Sequence, residues 1–208
     1  MTPIIKKGCV VPVAPEQNTW LFVSQNLGKI REWNKLLNPC GITLLSLSQV
    51  NWFQPIPETG NSFAENARQK VLALREKVSI PILADDSGLC VDALKGAPGV
   101  YSARYAGEGA SDQENIDLLL KHMQGQKMRR AHFECNMCLS MHAGEFRHFT
   151  GICQGSLADY PQGKEGFGYD PIFIPEGYTT SFAQMPLEVK LPLSHRQKAL
   201  TELLAFIG

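Results

Sequence analysis

The sequence predicts an α/β fold built on a mixed sheet, and a few observations carry that reading. Short apolar runs alternate with amphipathic helical stretches through the N-terminal half. The serine-led capping boxes Ser62-Phe63-Ala64-Glu65 and Ser111-Asp112-Gln113-Glu114 mark helix starts. Further on, a period-two run from Phe133 to Met141 turns at His142-Ala143-Gly144 into another strand, so a hairpin joins an otherwise crossover-linked sheet.

Each element follows from its local chemistry. The apolar run Trp20 to Ser24 is a strand. Asn26 is a good N-cap, so a helix runs from Leu27 to Leu37, where Asn38-Pro39-Cys40-Gly41 stops it. Ile42 to Ser46 is a second strand. Asn51 to Asn61, with Pro55, Pro57 and Gly60, is a loop. The helix opened at Ser62 extends to about Val78, with Phe63, Ala67, Leu74 and Val78 near one face. Ile80 to Ala84 is a short buried strand ending at Asp85-Asp86-Ser87-Gly88, and a Gly- and Pro-containing segment follows to about Gly109. The second capping box opens a helix to about Met123. The half-buried strand Phe133 to Met141 pairs with a strand of about Glu145 to Ser156. A loop from Gly163 to Gly168 leads to Tyr169-Asp170-Pro171 and a strand through Ile174. Ser194 caps the last helix, whose apolar face carries Leu200, Leu203, Leu204 and Ile207.

Composition narrows the function. The 208 residues suit one large domain or two joined lobes, and 44% hydrophobic with 19% charged residues describes a folded core. Lys+Arg and Asp+Glu are both 20, which argues against a general nucleic-acid binder. The six cysteines are scattered rather than framed as disulfides, which favours a reducing cytoplasm. Cys135 and Cys138 form a lone C-x-x-C on a strand, where their side chains diverge, so a zinc site there is disfavoured. No apolar run is long enough to span a membrane. Residues 1–18, with Lys6, Lys7, Pro12 and Pro15, read as a flexible or loosely docked N-terminal arm, and 19–208 as a single domain.

The chemistry gathers at several places. Ser24-Gln25-Asn26-Leu27-Gly28-Lys29 links the first strand to the first helix. It is not a Walker A loop, because Val23 stands where a Gly is needed and Ile30 where a Ser or Thr is needed. Lys29 in a first helical turn opposes the helix dipole unless something negative sits nearby, so the stretch is either an anion-binding turn or a cap with a solvated Lys. Asp85-Asp86 admits two readings: a carboxylate pair for a hard cation and a water, or a turn with Asp86 as an Asx cap. Glu58 could add a metal oxygen, and Lys70, one helical turn beyond Asn66, could reach a phosphate; both residue types are more often solvated. Gly166-Phe167-Gly168-Tyr169-Asp170-Pro171 offers Phe167 or Tyr169 for stacking on a base, or else a tight turn with core aromatics. Ser194-His195-Arg196 puts an Arg where it could read a base carbonyl. His122, His132, His142 and His148 show no ligand-like spacing.

Five segments, SQNLGKIRE (24–32), ETGNSFAENARQK (58–70), ADDSGLCVDALKGAPGVYSARYAGE (84–108), GFGYDPIF (166–173) and KLPLSHR (190–196), together resemble the inosine triphosphate pyrophosphatase family, in its bacterial form. The resemblance runs from Trp20 to the C-terminus. It implies an elongated two-lobed fold, with a central mixed sheet flanked by helices and a substrate cleft between the lobes. It implies a cytoplasmic, Mg²⁺-dependent homodimer that hydrolyses ITP, dITP or XTP to the monophosphate and pyrophosphate. Ser24 to Lys29 then resembles the triphosphate loop. Asp86 resembles the proton acceptor and a metal ligand with Asp85 beside it, and Glu58 resembles the second metal carboxylate. Lys70 and Lys190 look like phosphate- or substrate-binding lysines. Ser87, Phe167, Gly168, Tyr169, Asp170, His195 and Arg196 resemble the remaining substrate contacts. Ser24-Gln25 replaces the family's usual Thr-Gly, which puts a side chain beside the phosphates and removes cheap access to positive φ. A nucleotide-sensing protein with weak catalysis, or a metal phosphohydrolase for other nucleotides, are the competing readings.

Overall fold

A computed structural model describes residues 18–141 and 144–208. The expected arm lies outside the described residues apart from Asn18, as do His142 and Ala143 of the expected hairpin turn. In chain order the main elements are β1 Thr19–Phe22, α1 Leu27–Leu37, β2 Thr43–Leu45, α2 Phe63–Arg75, β3 Ile82–Val91 and α3 Asp112–His122. They continue with β4 Arg130–Ser140, β5 Arg147–Leu157, β6 Phe173–Pro175, α4 Leu187–Leu193 and α5 His195–Ile207.

The strands form one six-stranded sheet in the order β2-β1-β3-β4-β5-β6. β1 runs parallel to both β2 and β3, with Leu21 opposite Leu45 and Ile82, while β6 is antiparallel to β5. The expected mixed sheet is therefore present. By compactness the chain divides into two units, one of residues up to Asp86 with Asn136–Phe149, the other of Ser87–Cys135 with Thr150–Gly208. The first unit buries Leu21, Val23, Ala67, Val71, Leu74 and Ile82. The second buries Leu89, Ile116, Phe133, Phe173 and Phe182. Apart from Ala67, each such side chain contributes roughly 1.5–3 kcal/mol of transfer free energy. Among the described residues no helix is long and apolar enough to cross a membrane.

The structure corrects three local expectations and adds one element that the sequence reading did not name. β3 does not end before Asp85-Asp86; it runs through them to Val91, buried at every position except Ser87. An interior strand has ladder partners on both sides, which holds the backbone extended where the local sequence suggests a turn. Gly88 marks a close approach instead: a Cβ there would overlap Ser102 Oγ and the Gly99 carbonyl. Asp86 is therefore no Asx cap. β4 alternates only as far as Glu134; from Cys135 to Ser140 every residue is buried, as an interior strand covered on both faces requires. At α2, Ser62 Oγ does accept from Glu65 N, but Glu65 Oε2 accepts from Asn61 N rather than closing the box on Ser62. Last, α4 forms across Leu187–Leu193 although Pro192 lies inside it. Pro192 gives up the bond to the Glu188 carbonyl, and the helix ends one residue later.

Candidate active site

In the first unit, the turn after β1 delivers Lys29. Ser24 Oγ accepts from Asn26 N at 3.2 Å, and Asn26 Oδ1 caps α1 by accepting from Lys29 N at 3.0 Å. The Lys29 ammonium then lies 3.2 Å from Asp85 Oδ2 and 4.0 Å from Asp86 Oδ1. The negative partner that a first-turn lysine needs is thus supplied by β3 itself. Gln25 and Leu27 are exposed, and Gln25 is not at positive φ, so this turn does not require the glycine it lacks. Gly28 lies in the first turn of α1.

α2 shapes the loop that carries Glu58. Three of its side chains accept from three consecutive loop amides: Gln69 Oε1 from Thr59 N, Asn66 Oδ1 from Gly60 N at 2.8 Å, and Glu65 Oε2 from Asn61 N. Gly60 must be glycine for this clamp, because a Cβ would lie 2.6 Å from Glu65 Cβ. Glu58 then reaches 3.1 Å from the Lys70 ammonium, and the same ammonium lies 3.2 Å from Asp86 Oδ1 and donates to the Asp85 carbonyl. Asn66 Nδ2 donates to Asp86 Oδ2 at 3.0 Å, so both carboxylate oxygens of Asp86 are held. Burial alone would lower the pKa of Lys70, but the charges of Asp86, Glu58 and Asp85 outweigh it and hold the ammonium above the ordinary lysine range.

In the second unit, Asp170 organises its own loop. One of its carboxylate oxygens accepts from Phe167 N and from the buried Lys190 ammonium. Gly166 lies at φ +79°, and a Cβ there would overlap Asp170. Gly168 N donates to Asp112 Oδ2 of α3. Tyr169 is a core residue: its hydroxyl donates to the Ser102 carbonyl at 2.9 Å, and burial pushes its phenol pKa up, with the charges of Tyr105 and Asp112 adding to the rise. Of the two aromatics expected to stack on a base, Phe167 alone keeps partial exposure. Its ring faces the Arg196 guanidinium at 5.3 Å and the Lys190 ammonium at 5.2 Å. Arg196 Nη2 donates to Ser87 Oγ at 3.0 Å, and the His195 ring stacks on Phe133. Gly151 of β5 lets the start of α5 dock, since a Cβ would overlap the His195 carbonyl and Ala199 N. Asp170, Lys190, His195 and Arg196 are all buried.

The expected site residues therefore form two groups. Glu58, Asp85 and Asp86 meet Lys29 and Lys70 in one unit; Ser87, Phe167, Asp170, Lys190 and Arg196 are tied together in the other. Asn66, Glu65, Gln69, Asp112, Ser102 and Gly151 were not singled out as site residues. The signal for Asn66 was present, since it precedes Lys70 by one helical turn. The contacts of Asp112 and Gly151 span tens of residues and leave no local trace.

The donor set suits a hard divalent cation. Glu58 and Asp86 approach one cationic centre together, and two carboxylates with water and phosphate oxygens are the ordinary ligands of Mg²⁺. The three carboxylates do not converge to ligand spacing by themselves, because the two ammonium groups stand among them.

This arrangement has known counterparts. The sequence model of the Ham1 family matches residues 20–206. The chain belongs to the Ham1 family. A dITP/XTP pyrophosphatase of Halalkalibacterium halodurans is 42% identical over 186 residues, 88% of this chain and 96% of that protein. The solved Ham1 protein of Staphylococcus aureus is 39% identical with a TM-score of 0.81, covering 91% of this chain and 97% of that one. The Ham1 protein of Coxiella burnetii is 35% identical with a TM-score of 0.82, covering 91% and 98%. Family membership agrees with the resemblance read from the five sequence segments, and the family's solved members share the α/β fold.

Proposed function

We propose that the protein hydrolyses non-standard purine nucleoside triphosphates (ITP, dITP and XTP) to the monophosphate and pyrophosphate. The carrying observation is the meeting of Glu58, Lys29 and Lys70 with Asp85 and Asp86 of the interior strand β3. Carboxylates for a metal beside ammonium groups for phosphates are what pyrophosphate transfer to water needs. The name of the Halalkalibacterium relative supports the substrate class.

Asp86 is the proton acceptor. Asn66 and Lys70 hold its two oxygens, and each oxygen keeps a further lone pair for the attacking water. As water bonds to the α-phosphorus, its proton passes to Asp86, the bond to the bridging oxygen breaks, and pyrophosphate carries away the electron pair. Lys29 and Lys70 bind the phosphate oxygens, with Ser24 to Gly28 presenting the helix N-terminus. A Mg²⁺ held by Glu58 and Asp86, with Asp85 alongside, supplies further neutralisation of the triphosphate charge. Phe167 offers a stacking face, held by Gly168, Tyr169, Asp170 and Lys190. Arg196, with Ser87 and His195 beside it, donates to the 6-oxo group of hypoxanthine or xanthine. Adenine presents an amino donor there, which the guanidinium donors leave unpaired, and this rejects it. Residues 19–208 act as one catalytic domain, in a cytoplasmic homodimer.

The direct assay is pyrophosphate release from ITP, dITP and XTP beside ATP and GTP, with and without Mg²⁺. Metal-dependent release from the first group is expected. No release from any of them would sink the proposal, and equal rates on ATP and ITP would replace it with a general nucleotide hydrolase. Sedimentation tests the dimer separately.

A further inference from the structure

A different cluster lies in the second unit, on the neighbouring strands β3 and β4. Cys90 sits between Leu89 and Val91, and His132 between Ala131 and Phe133, all four of those neighbours belonging to the core. Strand alternation therefore turns Cys90, His132 and Glu134 to the opposite face of the sheet. Their ligand atoms all lie within 4.8 Å of one another, with His132 Nε2 3.9 Å from Glu134 Oε2. Among the described residues this is the one group of three such side chains at ligand spacing. It could not be read from the sequence, because Cys90 and His132 are far apart along the chain and the histidines show no spacing among themselves.

We propose that Cys90, His132 and Glu134 form a binding site for a single zinc-class divalent cation, separate from the carboxylate–lysine group at Asp86. The donor set is a thiolate, an imidazole and a carboxylate, which together suit borderline-soft Zn²⁺ and not Mg²⁺. Three protein ligands leave a fourth position for water, and the half-exposed His132 and Glu134 leave that side open to solvent. A tetrahedral centre sets S, N and O ligands roughly 3.3–3.6 Å apart. Closing to that spacing takes rotamer adjustment of His132 and Glu134, since the strands already hold the backbone.

The surroundings favour a cation. Cys90 is buried and its thiol makes no hydrogen bond among the described residues. The carboxylates of Glu134 and Asp92 stand close enough to act on it by their charge. Coordination would displace the proton to solvent, one per ion bound, because a metal-bound thiol is deprotonated outright. The same negative groups that disfavour a bare thiolate attract a divalent ion. Asp92 is shared with Arg130 at 3.5 Å, which leaves Glu134 as the anionic ligand. Bound metal would clip β3 to β4 through side chains as well as through the ladder.

The test uses the intact protein with Zn²⁺ and with Co²⁺ as a spectroscopic substitute. One equivalent of Zn²⁺ should bind, with release of one proton and a rise in Tm. Co²⁺ should show a thiolate charge-transfer band, which the sulfur-free group at Asp86 cannot produce. Cys90→Ser should abolish the band and weaken Zn²⁺ binding at least about 100-fold. His132→Gln, at a half-exposed position, should do the same if Cys90→Ser fails to fold. A Cys9→Ser/Cys40→Ser variant should keep the band. Mg²⁺-dependent hydrolysis should not change in any of them. A band that survives Cys90→Ser, or Zn²⁺ binding indifferent to both Cys90 and His132, overturns the proposal.

Discussion

The described residues include two buried lysine–aspartate groups, one in each compact unit, and they are built for different purposes. Around Lys70 and Lys29 stand the three carboxylates Glu58, Asp85 and Asp86, an excess of one formal negative charge among these groups. Glu58 keeps 32% of its side chain exposed. Around Lys190 the pairing is with Asp170, with side chains 3% and 4% exposed, and the carboxylate also fixes the Phe167 amide. The first group carries unbalanced charge on a partly open rim, so it can exchange an ammonium contact for a metal or a phosphate. The second is closed, so its role is to hold a loop and an aromatic face in place. Similar residue pairs thus divide into chemistry and support according to stoichiometry and exposure.

The largest expected effect tests the chemical group. Asp86→Asn keeps the shape but removes the proton acceptor and sets one amide donor against Asn66 or Lys70; kcat should fall about 10²–10⁴-fold, with some loss of Tm. A fully active Asp86→Asn enzyme would remove Asp86 from the mechanism.

Next come the two lysines compared directly. Lys70→Met and Lys190→Met each remove a cation from beside a buried carboxylate, and each should destabilise by about 3–5 kcal/mol in denaturant unfolding. Their pH behaviour sharpens the contrast. The pKa of Lys70 is raised in the folded state, so its stabilisation is fully present below the unfolded value of about 10.4 and is lost as pH climbs through the higher folded value. The stability difference between wild type and Lys70→Met should therefore be flat from neutral pH to about 10 and shrink only in stronger alkali. A difference that vanishes near neutrality would show that the pairing is weak.

Gly151→Ala should act on the support group alone. The added methyl meets backbone of α5, so a loss of about 1–3 kcal/mol is expected, with KM raised more than kcat is lowered, because Arg196 and His195 ride on that helix. A change confined to kcat would contradict the division of labour.

Gln25→Gly is expected to do little. The side chain is exposed and its backbone unstrained, so the change should stay under about 0.5 kcal/mol, roughly twofold in KM. A tenfold change would mean that the side chain takes part in holding phosphate. The smallest effect concerns thiols. Burial pushes Cys138 up to about 12 and Cys153 to about 11, so at pH 7 the exposed Cys40 should react with a thiol reagent well before them. Fast labelling of Cys138 would signal opening of the first unit's core.

Much of this could be read from residue order. Asn26, Ser111 and Ser194 capped their helices as their types and positions dictate, because capping is a contact over three residues. The order of strands and helices followed from hydrophobic period, which is also local. Where the reading failed, a distant partner was responsible. Asp85-Asp86 looked like a turn, but the ladders on either side of β3 kept it straight. Tyr169 looked available for stacking, but the Ser102 carbonyl, which is 67 residues away along the chain, took its hydroxyl.

By itself, then, the sequence determined the fold class, the helix starts, the family and the list of charged residues that matter, since these depend on periodicity, short-range contacts and residue type. Only the tertiary structure decided how those charges are shared. It gave Lys29 its counter-charge on Asp85, gave Lys70 to Glu58 and Asp86, sealed Lys190 against Asp170, and brought Cys90 beside His132 and Glu134. The reason is physical: charge pairing and ligand spacing depend on distance in space, and strands far apart in sequence set that distance.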